Sequence, residues 1–267
     1  MAKWCIVTGA TSGIGRELAL LAAADGFSLI VASRSGERLR AAERSAADEF
    51  RRAGSPEVLF FPMDLSSAKA AQMLWAYAQE KGITPEILVN NAGFGVYTDA
   101  ADADNLERVT RMMGLNVEAL TVLSMLAAHA MREAGNGRIL NVASVAAFAA
   151  CPKLAAYAAT KSYVLSFSRA LAEELKSTGV TVTALCPGYT LTHFADAAGV
   201  APSAGSDIIA RSAREAALTG WKALRSGKPV VIDGALNRLC VGLIRLLPAG
   251  FVTRIAGRLL TRFARAA

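Results

Sequence analysis

Short apolar runs recur along the chain and alternate with longer stretches in which apolar residues return every three or four positions. The runs are Lys3–Thr8, Ser28–Ser33, Val58–Pro62, Ile87–Asn90, Arg138–Val142, Val180–Cys186 and Pro229–Ile232. Each has the length and near-continuous apolar character of a buried strand. The longer stretches at Gly36–Ala53, Ala68–Lys81, Leu106–Glu133 and Ala155–Ser177 carry the helical period. Strand, helix, strand, repeated, predicts βαβ units. The expected fold is α/β: a single doubly wound domain with a mainly parallel, seven-stranded sheet and helices on both faces. No Pro/Ser-rich linker and no repeat divides the chain. Residues 1–233 are read as the domain and 234–267 as a basic, amphipathic helical extension of it.

Composition agrees with this reading. Of 267 residues, 53% are hydrophobic and 19% charged, enough apolar material for a sizeable core and too much for a disordered chain. The N-terminus lacks a signal peptide's apolar segment, and no uninterrupted apolar run is long enough to span a bilayer, so a cytoplasmic location is expected. Cys5, Cys151, Cys186 and Cys240 are scattered, and His129 and His193 are the two histidines. That spacing builds neither a disulfide framework nor a metal site, so no metal is expected and the cysteines are read as small buried hydrophobes. His129, among helical alanines, is read as structural.

The net charge of +7 is uneven: from Gly234 onward there are Arg238, Arg245, Arg254, Arg258, Arg262 and Arg265, with no Lys and no acid. The excess is local, which argues against a nucleic-acid footprint. Leu239–Leu247 and Phe251–Phe263 show helical spacing, interrupted by Pro248 and Gly250. Three readings stay open for this tail: a peripheral membrane helix, a subunit or lid contact, and a solvated or packed helical face, the last being favoured.

Chemistry enters at the end of the first run. TGATSGIG, Thr8 to Gly15, follows a strand and opens a helical pattern. Glycines there permit a tight turn and close approach of backbone to a pyrophosphate, and a helix N-terminus offers free N–H groups and a positive dipole end. That context predicts a Rossmann-type dinucleotide site. Further on, Tyr157 and Lys161 of YAATK stand four apart, on one helix face. A cation within about 4–6 Å favours phenolate and lowers a phenol's pKa by roughly 1–3. The pair therefore reads as a tuned general acid or base, or else as a buried Tyr beside a snorkelling Lys.

The spacing of Gly9, Gly13 and Gly15, GxxxGxG, resembles the short-chain dehydrogenase/reductase family in its compact branch rather than the extended branch with GxxGxxG. Nearly the whole chain, from Lys3 to Asp233, follows the family order: Asp64-Leu65 after strand three, Asn90-Asn91-Ala92-Gly93 after strand four, Asn116 in the next helix, Ser144 ending strand five, YAATK, then Pro187-Gly188 after strand six with Thr192 beyond. The resemblance implies a catalytic tetrad of Asn116, Ser144, Tyr157 and Lys161. Tyr157 would be the proton donor or acceptor, Lys161 its tuner and the partner of the nicotinamide ribose, Ser144 a donor to the substrate oxygen, and Asn116 the holder of a relay water. It implies cofactor contacts from Gly9, Thr11, Ser12, Gly13, Ile14, Gly15, Ser33, Arg34, Asp64, Leu65, Asn91, Ala92, Gly93, Tyr157, Lys161, Pro187, Gly188, Thr190 and Thr192. Taken singly, Ser144, Asn116 and Thr192 read equally well as a cap, a satisfied buried amide and a loop cap. The tail resembles those of bacterial DltE-like reductases, which fixes no substrate.

Ser33 stands where NAD-preferring relatives place an acid, and Arg34 can pair with a 2′-phosphate, which favours NADP(H) over NAD(H). Ser12 departs from the basic residue many NADPH enzymes carry before the second glycine. Phe94, Tyr97, Phe148, Tyr189, Phe194 and also Trp221 are placed on the substrate side, making it apolar and suited to a ketone or alcohol. His193 is a weaker candidate there. The reading is NADPH-dependent reduction of an apolar ketone or aldehyde; the alternatives are an NAD-dependent alcohol dehydrogenase and a non-catalytic nicotinamide-binding sensor. A homo-oligomer is expected from the family, with Leu165, Phe167 and Leu171 offering an apolar helix face.

Overall fold

The computed structural model describes residues 2–33, 37–191 and 210–265. Its strands are β1 (Trp4–Thr8), β2 (Ser28–Ser33), β3 (Val58–Pro62), β4 (Ile87–Asn90), β5 (Gly137–Val142), β6 (Val180–Cys186), β7 (Thr190–Leu191), β8 (Arg211–Ser212) and β9 (Val230–Ile232). Seven form one parallel sheet in the order β3-β2-β1-β4-β5-β6-β9. The helices are α1 (Gly13–Ala24), α2 (Glu37–Arg52), α3 (Ala68–Glu80), α4 (Leu106–Met113), α5 (Leu120–Glu133), α6 (Ala155–Glu174), α7 (Ala213–Arg225), α8 (Ala235–Ile244) and α9 (Ala249–Arg265). The strand order reverses direction between β1 and β4, and a crevice opens at the carboxyl ends of strands at such a switch point.

Alternation along each strand divides the core. Cys5, Val7, Leu29, Val31, Ile87 and Val89 face one side, where Leu18, Ala22, Phe50, Ala217, Trp221 and Leu224 of α1, α2 and α7 cover them. Ile6, Ile30, Leu88, Ile139 and Val182 face the other, under Leu74, Trp75, Leu123, Met131 and Leu171 of α3, α5 and α6. With both faces buried, the strands read as unbroken apolar runs.

Several expectations need correction. The stretch Leu106–Glu133 is not one uniform helix, because a π-helical segment, Gly114–Ala119, joins α4 to α5. A Cβ at Gly114 would overlap the Ser66 carbonyl, so the helix passes close to the loop after β3. Helix α7 was not anticipated, although Ser212 and Glu215 form a capping box at its start. Trp221 belongs to the core, its Nε1 donating to Asp25 Oδ2 at 3.0 Å, and not to the substrate side. Leu165 and Leu171 are buried in their own chain; the outer surface here carries exposed Tyr163, stacked on Phe167, and exposed Met125. His129 is exposed rather than packed. Of the four free cysteines, Cys5 and Cys186 are buried as expected, but Cys151 is half-buried and Cys240 exposed. The helical stretch Ala103–Glu133 is long and apolar enough to cross a membrane by length and composition, yet half of its most apolar 18-residue segment is buried within the fold.

Candidate active site

The glycine loop is clipped to the end of β4. Thr8 Oγ1 accepts from the backbone N–H of Asn91 and of Ala92, both at 3.0 Å. The Asn91 amide donates to the carbonyls of Thr8 (3.0 Å) and Gly9 (3.1 Å). Gly9 and Gly13 have φ of 68° and 56°, which favours glycine. A Cβ on Gly15 would overlap the Asn91 amide and the Gly9 carbonyl. Ser12 precedes α1 in extended conformation and its side chain makes no capping bond, so the first-turn N–H groups of α1 have no side-chain acceptor there. Thr11, Gly13 and Ile14 are half-buried, and Ser12 is exposed. A close-approach glycine cradle ending in an uncapped helix N-terminus fits a pyrophosphate.

Around this loop the other strand ends converge. Ser33 is buried at the end of β2. After β3, Leu65 is buried and Asp64 is exposed. Asp64 accepts from the Ser66 hydroxyl at 2.6 Å and pairs with Arg111 at 2.7 Å. Partial burial raises its pKa, but the bonds from Ser66 and Arg111 outweigh this and hold the carboxyl below its ordinary range. Beyond β4, Gly93 is close to two members of the tetrad, since a Cβ there would stand 2.9 Å from Asn116 Oδ1 and 3.4 Å from Lys161 Nζ. Past β6, Val145 N donates to Pro187 O (2.9 Å) and Ala143 N to Leu185 O (2.7 Å), so Ser144 lies alongside Pro187-Gly188. Thr190 Oγ1 donates to Gly188 O at 3.1 Å. Arg34, Thr192, His193 and Phe194 lie outside the described residues.

All four tetrad residues meet in this region. Asn116, from the π-helical segment, accepts from Phe94 N (3.2 Å) and donates to Phe94 O (3.0 Å) and Thr160 Oγ1 (3.2 Å). Lys161 is buried, and its Nζ donates to Val142 O at 2.9 Å, 5.8 Å from the centre of the Tyr157 ring. Ser144 caps the turn Val145–Phe148, its Oγ accepting from Ala146 N at 3.1 Å, and it also hydrogen-bonds Tyr157. The electrostatics differ from the sequence expectation. Burial pushes the Tyr157 phenol up to about 12, with the Ser144 hydrogen bond pulling the other way. Burial also brings Lys161 down to about 8. The Lys161 ammonium donates to a carbonyl and shares the burial, and desolvation is the largest effect on both groups.

Of the residues expected to line the substrate side, Phe94, Tyr97, Phe148 and Tyr189 are all half-buried. Sequence reasoning missed the groups that hold the tetrad in place, Thr160 and the Val142 carbonyl, and the Thr8 hydroxyl that clips the glycine loop to Asn91 and Ala92. It also missed a buried chain in which Asn90 Nδ2 donates to Ser124 Oγ and to Asn141 Oδ1, both at 2.9 Å, and Asn141 Nδ2 donates to Ser168 Oγ at 3.0 Å. This chain ties α5 and α6 to β4 and β5. The visible signal was an asparagine at the end of the β4 run, Asn90, and another next to last in the β5 run, Asn141. Arg211 Nε bonds the buried Asp233 carboxylate at 2.8 Å, and Thr219 Oγ1 adds 2.8 Å, anchoring β8 against the end of β9.

Comparison with known proteins agrees with this geometry. The family described as short chain dehydrogenase matches residues 3–201. The D-beta-hydroxybutyrate dehydrogenase of Cupriavidus necator is 34% identical over 190 residues, 71% of each chain. A short-chain dehydrogenase from Sphingobium yanoikuyae solved with NADPH superposes with a TM-score of 0.77 at 26% identity, covering 92% of this chain and 96% of that one. One from Burkholderia phymatum solved with NAD also gives 0.77 at 26%, covering 91% and 92%. The chain belongs to the short-chain dehydrogenase/reductase family. It is an oxidoreductase interconverting alcohol and carbonyl groups with a nicotinamide cofactor.

Proposed function

We propose that the chain uses NADPH to reduce an apolar ketone or aldehyde in the cytoplasm, as a homo-oligomer. The observation that carries this is the meeting of Ser144, Tyr157 and Lys161 beside the glycine cradle. Bound nicotinamide would supply the hydride. Ser144 would donate a hydrogen bond to the carbonyl oxygen as negative charge develops on it. Tyr157, held protonated by burial, is in the form that gives that oxygen its proton. Lys161 would bond the nicotinamide ribose and pull the phenol toward ionisation once its own charge is engaged, and Asn116 would keep the proton path to α6 in place. Gly9, Gly13 and Gly15 with the first turn of α1 would hold the pyrophosphate, and Asp64 and Leu65 would flank the adenine.

The preference for NADPH is supported by the absence of an acid at the end of β2, where Ser33 stands. The substrate class is supported by the half-buried rings of Phe94, Tyr97, Phe148 and Tyr189. The test is equilibrium binding of NADPH and NADH to the wild type and Arg34→Ala. NADPH should bind at least about tenfold more tightly to the wild type, and Arg34→Ala should remove most of that margin. Equal or tighter NADH binding by the wild type would overturn the preference and make alcohol oxidation the leading direction. Binding of neither would overturn the site.

A further inference from the structure

The described residues expose thirteen large apolar side chains, and eight of them fall between Leu236 and Leu259. In α8 and the turn after it these are Leu236, Leu239, Leu243, Leu246 and Leu247; in α9 they are Phe251, Ile255 and Leu259. The α9 residues are spaced by four, so they form one row along the helix. Arg254 and Arg258, also spaced by four and exposed, form the row beside it. The inner stripe of α9 is a different one: Val252 is buried, Gly257 lies against Pro152, and the Tyr97 hydroxyl donates to Leu260 O at 3.4 Å. Helix α8 is held by buried Val241, and the Arg245 guanidinium stands 5.1 Å from the centre of the Phe148 ring. Packing against the body therefore uses one side of the tail and leaves the apolar and cationic rows outward.

Soluble surfaces rarely concentrate apolar side chains in this way without a partner. Charge identifies that partner. With six arginines and no acid from Gly234 on, two copies of this surface would bring like charges together, which argues against self-association through it. An apolar row flanked by arginine matches the boundary of an anionic bilayer, where acyl chains take the leucines and phenylalanine and phosphates take the guanidinium groups. We propose that α8 and α9 dock the protein on an anionic membrane surface. Because the tail rests on Tyr97, Pro152 and Phe148, docking turns the substrate side of the molecule toward the lipid. That consequence rests on the proposed reduction of an apolar carbonyl; the docking itself does not.

The test is flotation of the full-length protein with vesicles of phosphatidylcholine alone and of phosphatidylcholine mixed with phosphatidylglycerol, at low and high NaCl, each sample also titrated with NADPH. The wild type should float with the anionic vesicles, release in high salt and ignore the neutral ones. Arg254→Gln with Arg258→Gln should weaken anionic binding roughly tenfold, and Leu239→Ser with Phe251→Ser should weaken it at every salt. No flotation of the wild type with anionic vesicles would overturn the proposal without a variant being needed. Equal flotation with both vesicle types would overturn the role of the arginines. A concentration-dependent dimer that the serine variants abolish, with no flotation, would make a second copy the occupant. NADPH binding reads the active site separately, so failure of docking and failure of the reductase reading are distinguishable.

Discussion

Tyr157 and Lys161 show how burial sets the state of a pair of titratable groups. Without bound cofactor the phenol is pushed up to about 12 and the ammonium down to about 8, so each is held toward its neutral form. Tyr157→Phe should lower carbonyl turnover by roughly 10²–10⁴-fold while NADPH affinity stays within about twofold, because only the hydroxyl is removed. Turnover close to the wild type's would remove Tyr157 from the proton step. Burial of Lys161 also makes stability depend on pH. Its folded pKa lies below the ordinary 10.5, so between about pH 8 and 10.5 the unfolded chain binds more protons and stability rises with pH. Below pH 8 the folded protein carries the full penalty, at most about 3 kcal/mol. Lys161→Met removes it but leaves the Val142 carbonyl without its donor, which costs about 1 kcal/mol. The cofactor-free variant should thus be about 2 kcal/mol more stable than wild type at pH 7, with the margin shrinking toward pH 10. Urea melts at several pH values check this, and a margin independent of pH would contradict it.

At the scale of elements, local pattern was a good guide where the driving interactions were local. The runs Ser28–Ser33, Val58–Pro62, Ile87–Asn90 and Val180–Cys186 coincide with β2, β3, β4 and β6; β2, β4 and β6 are buried on both faces, and the edge strand β3 is half-buried at Leu59 and Phe60. The glycine loop was legible for a similar reason: Gly9 and Gly13 answer to backbone angles. Gly15 is different, because its constraint is the Asn91 amide reaching across from β4. Gly15→Ala should displace that amide or the loop. We expect a loss of about 1–3 kcal/mol and a fall in nicotinamide affinity of at least about tenfold, read by thermal melts and by cofactor titration. No change in either would mean that the loop absorbs a methyl group freely. The π-helical segment carrying Asn116 was not legible, since the apolar period continues through Leu106–Glu133 and the contact at Gly114 comes from Ser66, distant in sequence.

Over the whole molecule, seven strands bring their carboxyl ends to one edge, and that edge gathers the glycine loop, Ser33, Asp64, Asn91, Ser144 and Gly188 from six separate strand ends. The uneven charge was visible in composition, but its meaning depended on which sides of α8 and α9 face outward. The sequence by itself determined the fold class and the order of the seven sheet strands along the chain, because these rest on periodicity, and it named the candidate tetrad through the order of its motifs. Tertiary structure alone decided that Trp221 belongs to the core, that Leu165 and Leu171 face inward, that Asn116 is held by Phe94 and Thr160, and that burial raises the Tyr157 pKa despite the nearby lysine. The reason is common to all four. Burial and hydrogen-bond partners are properties of residues brought together from far along the chain, and a one-dimensional pattern records a residue's period but not which neighbours will desolvate it.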